Sequence, residues 1–126
     1  MTRTPLEAAN LEVMRKMGEA FNRRNLDEIM PLFAVDAVYE DYMGVAPAGN
    51  RYSGIASIRS VFAQQFAENP NSYFEEFIPV ASDRWGALEY TIVLSRTPEL
   101  RCRLCDFFEF RDGKVVRKST WVKQIG

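Results

Sequence analysis

Two aspartates each interrupt an otherwise apolar strand face. Over 101–110 the sequence reads RCRLCDFFEF. At a strand's period of two, Cys102, Leu104, Asp106, Phe108 and Phe110 share one side, with Asp106 at its centre. The same alternation over 36–43 groups Tyr39, Asp41 and Met43. A carboxylate taken out of water either finds a partner or takes up a proton. Two such acids, each on the pocket-facing side of its own strand, point toward a site. The plainer reading is that each accepts hydrogen bonds from backbone or a lysine and only holds the fold.

What is missing narrows the chemistry. The chain has no histidine, which excludes serine triads, His–Cys dyads and His-ligated zinc. Its two cysteines, Cys102 and Cys105, have the C-x-x-C spacing of redox motifs. They lie in a strand pattern and point to opposite faces, so they read as free thiols. No metal or cofactor is expected. The net charge of −1 is spread over interspersed signs, leaving no basic stripe for nucleic acid and no polybasic membrane patch. No apolar run is long enough to span a bilayer, and MTRTPLEAANLE lacks the apolar core of a signal peptide. A cytoplasmic protein is expected.

The positioning elements follow from pattern. At 126 residues, 47% of them hydrophobic, the chain can bury a core as one domain, 1–126. Leu6, Met14, Met17, Ala20 and Phe21 form a helical stripe over 5–24. Asn25, with Glu28 three residues on, caps a second helix that Pro31 keeps short. Residues 44–54 read as a loop that rims a pocket, and Ile55, Ile58, Phe62 and Phe66 mark a third helix. Strands are expected near 73–80, 87–96, 101–110 and 115–124, with a turn at Thr97-Pro98-Glu99 and a tight hairpin at Asp112-Gly113. This order predicts an α+β fold: a cone-shaped, curved antiparallel sheet wrapped around three N-terminal helices and enclosing a pocket.

LFAVDAVYEDYMG (32–44), followed by a Gly-led helix, and CDFFEFRDGKVV (105–116) resemble the nuclear transport factor 2-like superfamily. Within it, the resemblance is closest to the ketosteroid isomerase and SnoaL-like polyketide cyclase branches. It implies that Asp41 stands where those isomerases carry a proton-shuttling aspartate. Asp106 stands where they carry a neutral aspartic acid that donates to the enolate oxygen. Their oxyanion tyrosine corresponds to Met17, which cannot donate, and two supporting tyrosines correspond to Phe33 and Phe62. Losing one such donor typically costs about 10²–10³ in rate, so either Tyr39, Tyr90 or Trp121 replaces it, or the substrate is more acidic than a simple ketone, or the site is no longer of the steroid-isomerase type. The Asp–Arg–Asp pattern of related epoxide hydrolases is absent, because Leu104 stands two residues before Asp106. Scytalone dehydratase-like chemistry needs histidines.

The reading is therefore a cofactor-independent enzyme acting on a small hydrophobic carbonyl compound. Asp41 would abstract a proton next to the carbonyl and protonated Asp106 would steady the enolate. Met17, Phe33, Tyr39, Phe62, Tyr90, Phe108 and Trp121 would line the substrate site. Isomerisation, cyclisation and elimination share that first step. A non-catalytic ligand-binding or scaffold domain of the same fold is the alternative. The outer sheet face, where Cys105 and Phe107 accompany Arg101, Arg103 and Glu109, is expected to form a homodimer.

Overall fold

The computed structural model describes residues 2–96 and 98–123. Thr4 accepts a hydrogen bond from the Glu7 amide, and Pro5 opens the first turn of α1 (Pro5–Asn22). After Arg24, in a left-handed conformation (φ 52°), Asn25 caps α2 (Leu26–Ile29) by accepting from the Glu28 amide. A 3₁₀ turn, Met30–Leu32, carries Pro31 and leads into β1 (Phe33–Glu40). β2 (Arg51–Ser53), α3 (Ile55–Glu68) and the long strands β3 (Tyr73–Ala81), β4 (Trp85–Arg96), β5 (Glu99–Arg111) and β6 (Lys114–Val122) follow. Among the described residues there are thus three α-helices and a six-stranded sheet ordered β2-β1-β6-β5-β4-β3. The sheet is curved and unclosed, in the α+β cone arrangement expected.

Three details differ from the expectation. Residues 51–53, read as loop, form β2 and pair antiparallel with β1. β1 starts earlier than 36 and ends at Glu40, so Asp41 lies just beyond the strand. β1 also joins β6 in parallel, although the other pairings are antiparallel. Of the expected turn at 97–99, Thr97 lies outside the described residues, as does Gln124 of the last strand.

The helices cover one sheet face. Met14, Met17 and Ala20 of α1 and Ile58 and Phe62 of α3 meet Leu88, Leu104, Phe108, Phe110 and Val115 of the sheet. α1 is clamped by Asn10, fully buried, whose amide donates to the carbonyls of Ser82 (3.0 Å) and Asp83 (3.1 Å). The opposite sheet face, expected to meet a second copy, exposes Ile78, Val80, Trp85, Phe107 and Trp121 among charged residues. No described helix is long and apolar enough to cross a membrane.

The hairpin between β5 and β6 sets the site. Asp112 (φ 53°) and Gly113 (φ 75°) form the tight turn with two positive φ values that Asp-Gly favours. Phe110 pairs with Val115, but Glu109 then pairs with Arg117, leaving Val116 without an opposite residue. That bulge shifts the remaining register by one, which exchanges the faces of β6. Lys118, Thr120 and Val122 therefore stand opposite Phe108, Asp106 and Leu104 on the helix-covered face.

The 41–50 loop is drawn into a tight arc. Asp41 donates its amide to the Asn50 carbonyl, and Asn50 donates to that of Met43. Gly49, at φ +77°, leaves no space for a side chain, because a Cβ there would come 2.0 Å from the Asp41 carbonyl oxygen. Gly49→Ala should destabilise the protein by more than about 1 kcal/mol, lowering the thermal midpoint by about 3 °C or more. Calorimetry reads this, and an unchanged midpoint would contradict the loop geometry.

Candidate functional site

Between the helices and the sheet opens a cavity of about 1510 Å³. Its walls are mainly apolar and aromatic, including Met17, Phe21, Tyr39, Phe74, Leu88 and Leu104. Asp106 lies on the floor, 3% exposed, and accepts from the Thr120 hydroxyl at 2.7 Å. Its other oxygen is 3.3 Å from the Lys118 ammonium, with both side chains almost wholly buried. Lys118 also donates to Thr120 Oγ1 at 3.2 Å, so that hydroxyl turns its own hydrogen to Asp106. Tyr90 lines the same cavity beside Asp106. Burial pushes the Tyr90 phenol well above its ordinary pKa, and the neighbouring Asp106 charge adds to the rise.

The resemblance implies an Asp106 that donates a hydrogen bond; the donors set beside it in this structure are the Lys118 ammonium and the Thr120 hydroxyl. The Lys118 ammonium lies 4.9 Å from the Tyr39 ring centre, 5.5 Å from that of Phe21 and 5.6 Å from that of Phe62. Facing rings favour a cation that burial alone would oppose.

Asp41, 9% exposed, lies at the cavity mouth. Its Oδ1 accepts from the backbone amides of Met43 (2.9 Å) and Asn50 (3.0 Å), so one oxygen holds the loop. Its Oδ2 has only long contacts, to the Asn50 amide (3.4 Å) and the Tyr52 hydroxyl (3.5 Å). Tyr52 stacks on Tyr39 at 5.8 Å, so one aromatic wall runs from Lys118 through Tyr39 and Tyr52 to Asp41. Burial and the Asp41 charge both raise the Tyr52 phenol, and Tyr42 is raised by burial first and then by Tyr39 and Asp41.

The other expected site residues separate into two groups. Met17, Tyr39 and Tyr90 line the cavity. The Tyr39 hydroxyl accepts from Gln65 at 3.2 Å. Phe33, Phe62 and Phe108, expected to touch substrate, pack instead in the core behind the lining, at 3%, 0% and 0% exposure. Trp121 borders the cavity at its rim but is 64% exposed and pairs with Cys105, which places it on the outer face. The cause is the Val116 bulge: an unbroken register would set Trp121 opposite Leu104, on the inner face. Lys118 and Thr120 were missed for the same reason.

A family model for the SnoaL-like domain matches residues 14–118. The chain belongs to this family. Solved structures share the fold at low identity. A candidate polyketide cyclase from Xanthomonas campestris pv. campestris is 19% identical with a TM-score of 0.78, covering 94% of this chain and 93% of that one. A candidate ketosteroid isomerase from Kribbella flavida is 20% identical with a TM-score of 0.78, covering 95% and 82%. A candidate SnoaL-like polyketide cyclase from Jannaschia is 12% identical with a TM-score of 0.80, covering 98% and 91%. No curated protein matches significantly.

In this SnoaL-like domain both cysteines are free, with Cys102 buried and the Cys105 thiol pushed up by burial and then by the Asp106 charge. The described residues contain no group of three or more acidic, cysteine or histidine side chains placed to hold a metal ion.

Breaking the buried pair by Lys118→Met should cost roughly 3–5 kcal/mol, because Asp106 loses its cation. The double change Lys118→Met with Asp106→Leu should recover most of that, as urea titration would show. A single variant as stable as the parent would argue against the pair. The Tyr90 shift carries its own pH dependence. The folded state holds this proton more tightly than the unfolded chain, so the contribution is complete below the unfolded pKa and lost as pH rises through the folded one. Stability should therefore fall more steeply above about pH 10 in the parent than in Tyr90→Phe. Equal slopes in the two proteins would refute this.

Proposed function

We propose that this SnoaL-like domain is a cofactor-independent proton-transfer enzyme acting on a small, mostly apolar carbonyl compound. Members of this fold are often isomerases or cyclases. The observation that carries the proposal is a polar floor in an apolar cavity: Lys118, Asp106 and Thr120 in one hydrogen-bonded triangle, with the Tyr90 phenol beside it. A carbonyl oxygen resting there accepts from the Lys118 ammonium or the Tyr90 hydroxyl, which steady negative charge as it develops. Asp106 holds Lys118 in place. Asp41, through its loosely engaged Oδ2, takes the proton from carbon.

The stacked Tyr39–Tyr52 wall separates Lys118 from Asp41 and gives a flat substrate a surface between the two. That separation favours a ligand whose acidic carbon lies some way from the carbonyl on the floor, as in an extended conjugated or polycarbonyl compound. A cyclase or aldol-type outcome fits this better than a short proton shift.

One observation supports the non-catalytic alternative: two backbone amides already occupy Asp41 Oδ1, which is what a purely loop-holding acid would show. Deuterium exchange into 2-tetralone, a small bicyclic ketone, separates the two readings. The parent should accelerate exchange in deuterated buffer, and Asp41→Asn should lose about 10²–10⁴-fold of that acceleration with an unchanged thermal midpoint. A parent that binds the ketone without accelerating exchange would establish the ligand-binding reading instead.

A further inference from the structure

Of the four lysines, Lys16, Lys114 and Lys123 are exposed and Lys118 is buried. Its nitrogen lies on the floor of the cavity, 3.3 Å from a carboxylate, 3.2 Å from a hydroxyl and beside three aromatic rings. An ion pair serving stability alone is replaceable by apolar packing at little or no loss. What an apolar pair cannot supply is an amine with a proton acceptor at hand on a cavity floor. We propose that Lys118 is a nucleophilic amine that condenses with the carbonyl ligand to form a Schiff base.

The step balances within the residues present. Lys118 passes a proton to Asp106 Oδ2, and the freed nitrogen attacks the carbonyl carbon as the C=O π electrons move to oxygen. The attacking nitrogen gives up a proton as the oxygen receives one, producing a neutral carbinolamine. The Asp106 proton then goes to the hydroxyl, which leaves as water while the nitrogen lone pair forms the C=N bond. Carbonyl plus ammonium thus gives protonated iminium plus water, with no change of charge and no external oxidant or reductant. Asp106 returns to its carboxylate form and faces the iminium as it faced the ammonium. The rings of Phe21, Tyr39 and Phe62 present the same faces to either cation. The iminium draws electrons from the neighbouring carbon more strongly than a hydrogen-bonded carbonyl does, so it acidifies the C–H that the ligand offers to a base.

This inference rests on the reading that a carbonyl group reaches the cavity floor, but it requires no proton transfer by Asp41. The probe is pentane-2,4-dione, whose condensation product with an amine is a conjugated enaminone visible in the near ultraviolet. At neutral pH the folded parent should develop this absorbance to one equivalent, and peptide mass mapping should place the adduct on Lys118. Labelling there should be about tenfold or more faster than at Lys16, Lys114 or Lys123, which lie exposed at the surface. Borohydride added with 2-tetralone should fix a secondary amine at the same residue. Lys118→Arg, which keeps the cation, should abolish both signals, and Asp41→Asn should retain them. Adducts spread evenly over the exposed lysines, or none on Lys118 in the folded parent, would overturn the inference. If Lys118 is labelled while 2-tetralone exchange is not accelerated, the Schiff base stands and the proton-transfer reading falls. Accelerated exchange without labelling has the opposite meaning.

Discussion

An ammonium and a carboxylate removed from water persist only if each answers the other, and the floor of this cavity depends on that constraint. Lys118 and Asp106 are both nearly inaccessible and lie 3.3 Å apart. Coulomb attraction alone rarely offsets the loss of hydration, so the remaining polar valences must also be met. Thr120 closes the triangle, accepting from Lys118 and donating to Asp106. The lysine stem crosses apolar ground, and the rings of Phe21, Tyr39 and Phe62 face its charged end. Phe62 thereby contributes to the site from the core rather than by touching a ligand.

That pairing exists because of one unpaired residue. Without the bulge at Val116, a two-residue turn at Asp112-Gly113 would run β6 in unbroken register, with Ser119 opposite Asp106 and Lys118 on the outer surface. The hairpin, the three helices and the apolar stripe around Asp106 were legible in the sequence because turn chemistry and periodicity are local properties. The bulge was not. A period-two pattern over KVVRKSTWV gives two faces but not which one is buried, and both contain apolar and charged residues. The pattern alone therefore singles out neither Lys118 nor Thr120, and the resemblance that puts Trp121 in the pocket does not register the one-residue shift. The parallel contact of β1 with β6, which brings Tyr39 beside Lys118, joins residues far apart in sequence and leaves no local signature.

Asp41 shows a different limit. Its type and its closeness to Tyr39 marked it out, and the structure brings it to the cavity mouth. Its attachment to the loop depends on Met43 and Asn50 turning back to offer their amides, and on Gly49 leaving room beside the Asp41 carbonyl. The loop composition announced a turn without saying what it would wrap around. The fate of the missing oxyanion tyrosine was equally hidden. With Met17 contributing only wall, the phenol beside Asp106 is Tyr90, and strand pattern alone could not tell a core tyrosine from a floor tyrosine.

The two hairpin strands themselves indicate why the polar rung is there. On the same inner face, Phe110 pairs with Val115 on one side of it and Leu104 with Val122 on the other, both apolar. The sheet therefore accommodates apolar pairs on either side of the Phe108–Lys118 and Asp106–Thr120 pairs, and nothing in its geometry calls for a charge between them. The change along the strand is in what each rung faces. Phe108 and Phe110 meet the closed core, whereas Asp106, Lys118 and Thr120 border open space between the helices and the sheet. Leu104 and Val122 border the same space, so neither the sheet nor the cavity wall demands a charge there, and the ion pair is better explained by what enters the cavity than by what holds the sheet together.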